Sequence, residues 1–174
     1  MPEPMLRERW QPLRGGLINL FKYEDQVFHY SNGHLLLRGN NGSGKSRVLA
    51  LQLPFLFDGE IIPSRVEPDR DPAKRMEWHL LMDQHERRTG YTWLEFARRD
   101  QDGTEHHLTL GCGLEARKGG GAPKRWFFIT PERIGTDLQL LANRVPLGKA
   151  QLNAVFQSRE QGTLYEKAGD YRTA

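Results

Sequence analysis

One cysteine, Cys112, stands among 174 residues. A lone thiol builds neither a disulfide framework nor a zinc site, so a disulfide-stapled scaffold is excluded and a reducing compartment is expected. Its neighbours, LTLGCGLEA, have the pattern of a strand, which makes Cys112 a small packed residue rather than a nucleophile. No run reaches the ~20 apolar residues of a membrane-spanning helix. The longest, VLALQLPFLF, is short and holds Gln52 and Pro54. The opening MPEPMLRERW has no apolar core of signal-peptide length, and the expected setting is cytoplasmic, without membrane contact. Internal repeats and coiled-coil heptads are missing. Neither sign of charge dominates, because 25 Lys and Arg face 22 Asp and Glu and leave +3. That balance permits nucleic-acid contact without demanding it. The histidines offer no ligand set: His106 and His107 are adjacent on a predicted strand and point to opposite faces.

What is present suits one domain of ordinary size. Residues 1–14, punctuated by Pro2, Pro4 and Pro12, are expected as a loose or partly docked leader, and residues 15–174 as the folded unit. Apolar runs predict strands at Gly16–Tyr23, in QVFHYSNG, and at His34–Arg38, the last buried on both faces. Lys45 to Phe57 is expected as a helix buried nearly all round, with Pro54 in its last turn and Gly59 as its stop. A connector rich in proline and charge, EIIPSRVEPDRDPAKR, leads to a short helix in MEWHLLMDQHERR. GYTWLEFARRD, EHHLTLGCGLEAR and KRWFFITPER predict three antiparallel strands, with Asp102-Gly103 as a hairpin turn. Glu95 is expected to face solvent, and Trp78, Trp93 and Trp126 to lie in the core. A helix is expected from about Gly148, and the tail beyond it has no predicted closing strand.

The informative stretch is Gly39-Asn40-Asn41-Gly42-Ser43-Gly44-Lys45-Ser46, a full match to G-x-x-x-x-G-K-[ST]. A loop that wraps a phosphate with backbone N–H groups needs glycine wherever a β-carbon would clash or φ must be positive. Lys45 then reaches the outer phosphates as a point charge. The Ser46 hydroxyl ligates Mg²⁺, and the helix adds the positive end of its dipole. The expected ligand is ATP with Mg²⁺.

A hydrolase of this type also needs an acidic residue at the end of another apolar strand. Asp58 is a poor candidate. It lies thirteen positions past Lys45, and a helix of ~1.5 Å rise per residue has carried it ~20 Å from the phosphates. The expected site is therefore half of an active site. Basic residues gather at Arg65, Arg70, Lys74 and Arg75, and again at Arg87, Arg88, Arg98, Arg99, Arg117, Lys118, Lys124 and Arg125. They read as a solvated charged surface or as a surface that contacts the phosphate backbone without reading bases.

GNNGSGKS, with strands before and a buried helix after, resembles the N-terminal ATPase head segment of SMC and SbcC-like proteins. LLLRGNNGSGKSRVLALQLPFLFDGEIIPSRVEPDRDPAKRMEWHLLM and RTGYTWLEFARRD resemble the SMC-like subunit (JetC type) of Wadjet bacterial plasmid-defence systems, relatives of the MukB condensins. The likeness runs from about Leu13 onward. It implies an α/β fold, the N-terminal lobe of a P-loop NTPase head of the ABC and SMC kind, with an antiparallel β-rich part around the loop strand and its helix. It implies an ATPase whose C-terminal head segment brings the signature and acidic motifs across a coiled coil. Its implied partners are that segment, double-stranded DNA and kleisin-like accessory subunits. Residue by residue, it implies Gly39, Asn40, Asn41, Gly42, Ser43, Gly44, Lys45 and Ser46 on the nucleotide, Ser46 on the metal, and Lys45 as the catalytic charge. Arg65 would reach the nucleotide or DNA; the resemblance does not place the glutamine that senses Mg²⁺, for which Gln157 is only a candidate. Lys22 and Tyr23 read as ordinary strand-end residues, the alternative being that one of them flanks the nucleotide. Two other readings stay open: a self-contained P-loop kinase or transferase for a small molecule, and a head-derived module that docks DNA or a partner.

Overall fold

The computed structural model describes residues 6–69 and 71–174. Leader positions 1–5, with Pro2 and Pro4, and the basic Arg70 lie outside the described residues. The chain folds as α/β around a six-stranded sheet in which every pairing is antiparallel. Strands β1 (Gln11–Leu20) and β2 (Tyr23–His29) come first, then helices α1 (Lys45–Asp58), α2 (Pro63–Val66) and α3 (Met76–Leu81). Strands β3 (Arg87–Arg99), β4 (Glu105–Arg117) and β5 (Lys124–Thr130) follow. A small hairpin, β6 (Leu141–Ala142) and β7 (Val145–Pro146), precedes α4 (Lys149–Arg159), β8 (Thr163–Tyr165) and α5 (Ala168–Thr173). The sheet order is β2-β1-β3-β4-β5-β8.

Strand alternation sends side chains to two separate cores. On one face Leu17, Leu94, Leu114 and Phe127 meet Val48, Leu51, Phe55 and Leu56 of α1, with α3 and α5 beside them. Cys112 is buried here, as its surroundings predict. On the other face Tyr91, Trp93, Trp126 and Phe128 pack under Ile134, Leu138, Leu140 and α4 residues Leu152 and Phe156. The second face is organised by glycine opposite aromatic. Gly16 pairs with Trp93, Gly111 with Phe128, and Gly113 with Trp126. A β-carbon at Gly16, Gly111 or Gly113 would come within 2.3, 2.0 or 2.2 Å of the ring it faces. Each ring therefore lies flat across its neighbour strand, and Tyr91 meets Trp126 edge-on at 5.8 Å. The glycines in LTLGCGLEA are the space these rings occupy.

Five expectations need correction, the first being that α1 is not buried nearly all round, since Leu49 and Phe57 are exposed. The leader ends earlier than predicted, because β1 begins at Gln11 and Pro12 is absorbed where the register with β3 shifts between Pro12 and Arg14. His34–Arg38 is not a paired strand: His34 bridges Ser31, and residues 35–40 run without sheet partners. Glu95 is fully buried, not solvent-facing. It receives Arg14 and accepts from Arg133 Nε at 3.1 Å, which ties β1 and β3 to the segment after β5. The tail does close the sheet, since β8 pairs with β5 through Phe127↔Tyr165 and Tyr171 of α5 stacks on Phe127 at 4.7 Å. The predicted helix from Gly148 is present as α4, and α3 and the three long strands lie where the sequence places them. No helix among the described residues is long and apolar enough to cross a membrane.

The glycine–aromatic face makes a direct prediction. Gly113→Ala forces its methyl into the Trp126 ring and lowers unfolding free energy by about 1–3 kcal/mol, as overpacking does. Gly169→Ala, on α5 where an added Cβ meets nothing within 4 Å, leaves stability unchanged or raises it by up to about 1 kcal/mol. Urea unfolding of the two variants measures the contrast.

Candidate functional site

α1 begins where the glycine loop ends. Gly44 is its N-cap at φ 91, a left-handed conformation that no side chain caps. Gly42 also has positive φ, 79. Both positions need glycine for backbone reasons. Gly44 has a second constraint: its Cβ would lie 3.1 Å from Tyr23 Oη and 3.2 Å from the Phe21 ring. The β1–β2 turn thus presses on the mouth of the helix. The first turn of α1 holds no acidic residue of its own and no side-chain cap, so its free N–H groups are left for other acceptors.

Lys45 folds back over its own loop. Its ammonium donates to Gly39 O at 2.7 Å, Asn40 O at 2.9 Å and Ser43 Oγ at 3.4 Å. A cleft of about 340 Å³ opens at this point, lined by Asn41, Gly42, Gly44, Lys45, Ser46 and Arg47 from the loop and helix, and by Pro68 and Asp69 from the connector. The structure therefore gathers most of the predicted loop residues at one opening. Lys45 binds Gly39, Asn40 and Ser43 at its edge.

Arg65 is placed elsewhere. It sits on α2 and faces Asp58 at 3.4 Å, near the C-terminal end of α1, a helix length of ~20 Å from the loop. Gln157 lies exposed on α4, which packs on the opposite face of the sheet. Lys22 has its ammonium 5.6 Å from the Phe21 ring centre. Several members of the basic groups already face acids: Arg87 with Glu115, Lys118 with Glu86, Lys74 with Asp71, and Arg98 and Arg99 with Asp100 and Glu105. Trp93 and Trp126 are core residues as predicted, and Trp78 packs against the α1 core.

Sequence reasoning missed the connector's part in the site. Glu67 is buried and pairs with Arg47 at 2.5 Å. His79 is also fully buried, with Nε2 3.5 Å from Glu67 Oε2. Pro68 and Asp69 then pass along the cleft. The signal was there in VEPD, an apolar residue and a carboxylate before proline, but the helix it meets is twenty residues back. Among the described residues no three His, Cys, Asp or Glu side chains are grouped to hold a metal ion unaided. A larger cleft of about 470 Å³ lies away from the loop, bordered by Ile61, Ile62, Pro63, Met76 and Pro123. Its walls are mostly apolar, so the chemistry favours the smaller one. A comparison with models of known protein families gives no match, and none of the curated proteins matches the chain.

Burial drives the His79 imidazole down to about 4, with the Arg47 and Lys74 charges adding to the effect. His79 is thus neutral in the folded chain at neutral pH, whereas in the unfolded chain it gains a proton below about 6.5. The unfolded state binds the extra proton, so His79 contributes a loss of stability as pH falls from about 6.5 toward 4. Melting temperatures between pH 7.5 and 5 should fall less steeply for His79→Gln than for the natural chain.

Proposed function

We propose that this chain is the ATP-binding N-terminal segment of an SMC-like ATPase head, coupled to DNA handling and acting in defence against plasmids. The observation that carries the nucleotide assignment is the glycine loop at the uncapped mouth of a buried helix, with Lys45 folded over it and Ser46 on the same cleft. The fit is chemical. The N–H groups of the first helical turn donate to no side-chain cap and are suited to phosphate oxygens. Lys45 offers three donors to the outer phosphates in place of its own loop carbonyls. Ser46 supplies a hydroxyl for Mg²⁺, an ion that keeps several waters and takes few protein ligands. The bound magnesium triphosphate would supply the phosphoanhydride that is cleaved. The chain's own residues bind it, neutralise it and fix its orientation.

A second segment would complete the engine. Two observations support this. The extended stretch before the loop carries Leu36 at 72% exposure, and its backbone at 35–40 has no sheet partner. On α1, Leu49 and Phe57 are exposed at 42% and 53%, although the sequence predicts a helix buried nearly all round. Leu36 and Leu49 lie near the loop and Phe57 at the far end of α1, and a partner lobe would cover such side chains. The acid that activates water would come with that lobe. The partners are then the C-terminal head segment, double-stranded DNA and kleisin-like subunits, and Arg65 is an outlying contact to DNA or to the partner lobe. A self-contained small-molecule kinase is the second reading, and the carboxylate of Asp69 on the cleft favours it.

Nucleotide binding and turnover separate these readings. Binding of Mg-ATP should fall at least tenfold in Lys45→Ala, on the scale of losing a charge-assisted contact of ~1.5–3 kcal/mol. Turnover by the chain alone should be near background and should rise when a C-terminal head segment is added, more so with DNA. Turnover alone with a small acceptor establishes the kinase instead, and DNA binding indifferent to Lys45→Ala marks a docking module.

A further inference from the structure

Arg47 directly follows Ser46 and occupies the first turn of α1. A cation there opposes the helix dipole, and the helix offers no acid of its own in that turn. The compensating charge comes from the connector. Arg47 Nη2 donates to Glu67 Oε1 at 2.5 Å, with the Glu67 side chain fully buried and Arg47 at 13% exposure. The guanidinium lies 4.5 Å from the Phe21 ring centre and 5.7 Å from that of Trp78. The same Glu67 oxygen lies 3.5 Å from the Asp69 N–H, which donates to it. Glu67 runs straight into Pro68 and Asp69, the connector's contribution to the cleft, while Arg47 belongs to the glycine-loop side. One buried ion pair therefore joins both sides of the opening.

Stability does not explain this arrangement. Apolar residues of equal volume generally hold a buried site as well as an ion pair does, and without desolvating two charges. A pair sets geometry, because a guanidinium and a carboxylate meet only in a few orientations. We propose that Glu67 is a positioning residue for the nucleotide cleft. Through Arg47 and the Asp69 N–H it sets the distance between the glycine loop and the Pro68–Asp69 wall, and so the fit of the phosphates and their magnesium. This rests on the phosphate-binding reading of the loop.

The test is the affinity for a fluorescent ATP analogue, with and without Mg²⁺, measured beside the thermal midpoint. The variants are Glu67→Gln, which keeps shape and removes charge, and Arg47→Met combined with Glu67→Leu, which replaces the pair by apolar volume. The expected result is a loss of about tenfold or more in Mg-nucleotide affinity for Glu67→Gln, the usual cost of removing a group that orients a ligating one. The double variant regains the natural thermal midpoint without regaining affinity. A folded variant of either kind that binds like the natural chain overturns the inference while leaving the loop assignment intact, provided Lys45→Ala still weakens binding. Binding that ignores Lys45→Ala removes the loop assignment itself, and this inference with it.

Discussion

The glycine loop depends first on one contact, the inner face of α1 against the sheet. Val48, Leu51, Phe55 and Leu56 are buried to 1% exposure or less and meet Leu17, Leu94, Leu114 and Phe127. Burying a side chain of that size is worth ~1.5–3 kcal/mol, so the helix cannot slide without losing several such terms at once. Thr92 Oγ1 adds a register mark by donating to Leu51 O at 3.1 Å. Gln52 is on the same face, fully buried over Gly15, whose missing side chain leaves room for it. The mouth of the helix inherits this rigidity. Its amides point where the sheet makes them point, and the β1–β2 turn closes on Gly44 from the side.

Two buried carboxylates extend that rigidity to parts of the chain that local contacts do not reach. Glu95 gathers Arg14 and Arg133, and Glu67 gathers Arg47. In each case the acid lies in one segment and its cations in others far along the chain. A buried carboxylate that loses its partner is strongly unfavourable, whereas the intact pair is close to neutral against apolar packing. Such pairs add little net stability and much geometric selectivity. Glu95 holds the loop after β5 to the sheet. Glu67 does the corresponding work at the mouth of α1, with neutral His79 filling the space beneath it.

Elements with local signals are legible from the residues alone. Gly44 and Gly59 bracket α1, Asp102-Gly103 marks the β3–β4 turn, and the alternation in β3 to β5 gives an antiparallel block. What escapes is non-local. LLL before the loop has every strand property except a neighbour, and pairing is not written in the strand that lacks it. Glu95 sits in WLEF like a solvent-facing charge, because Arg133 is thirty-eight residues away. Pro12 reads as leader punctuation, yet a register shift lets it enter a central strand. The glycines of β4 read as weak points in a strand until the rings of β5 are seen lying across them. At the site, the glycine loop is visible as a motif, while the connector that forms the second wall of its cleft reads only as a spacer.

Lys45 shows how loop and ligand chemistry are balanced. An ammonium has three donors, and here two are taken by the carbonyls of Gly39 and Asn40 while the third faces Ser43 Oγ at a longer 3.4 Å. The loop is thereby braced by the same group that would meet a phosphate. Neutral carbonyls are weaker acceptors than ionised phosphate oxygens, so a triphosphate can take the lysine without leaving it unsatisfied at any stage. The backbone that loses the lysine keeps its shape for a different reason: glycine conformations at 42 and 44 and the pressure of Phe21 and Tyr23 on the helix mouth. A loop held only by its lysine would open when the lysine left. One held by its glycines and by a buried helix would exchange partners in place, as the proposed nucleotide binding requires.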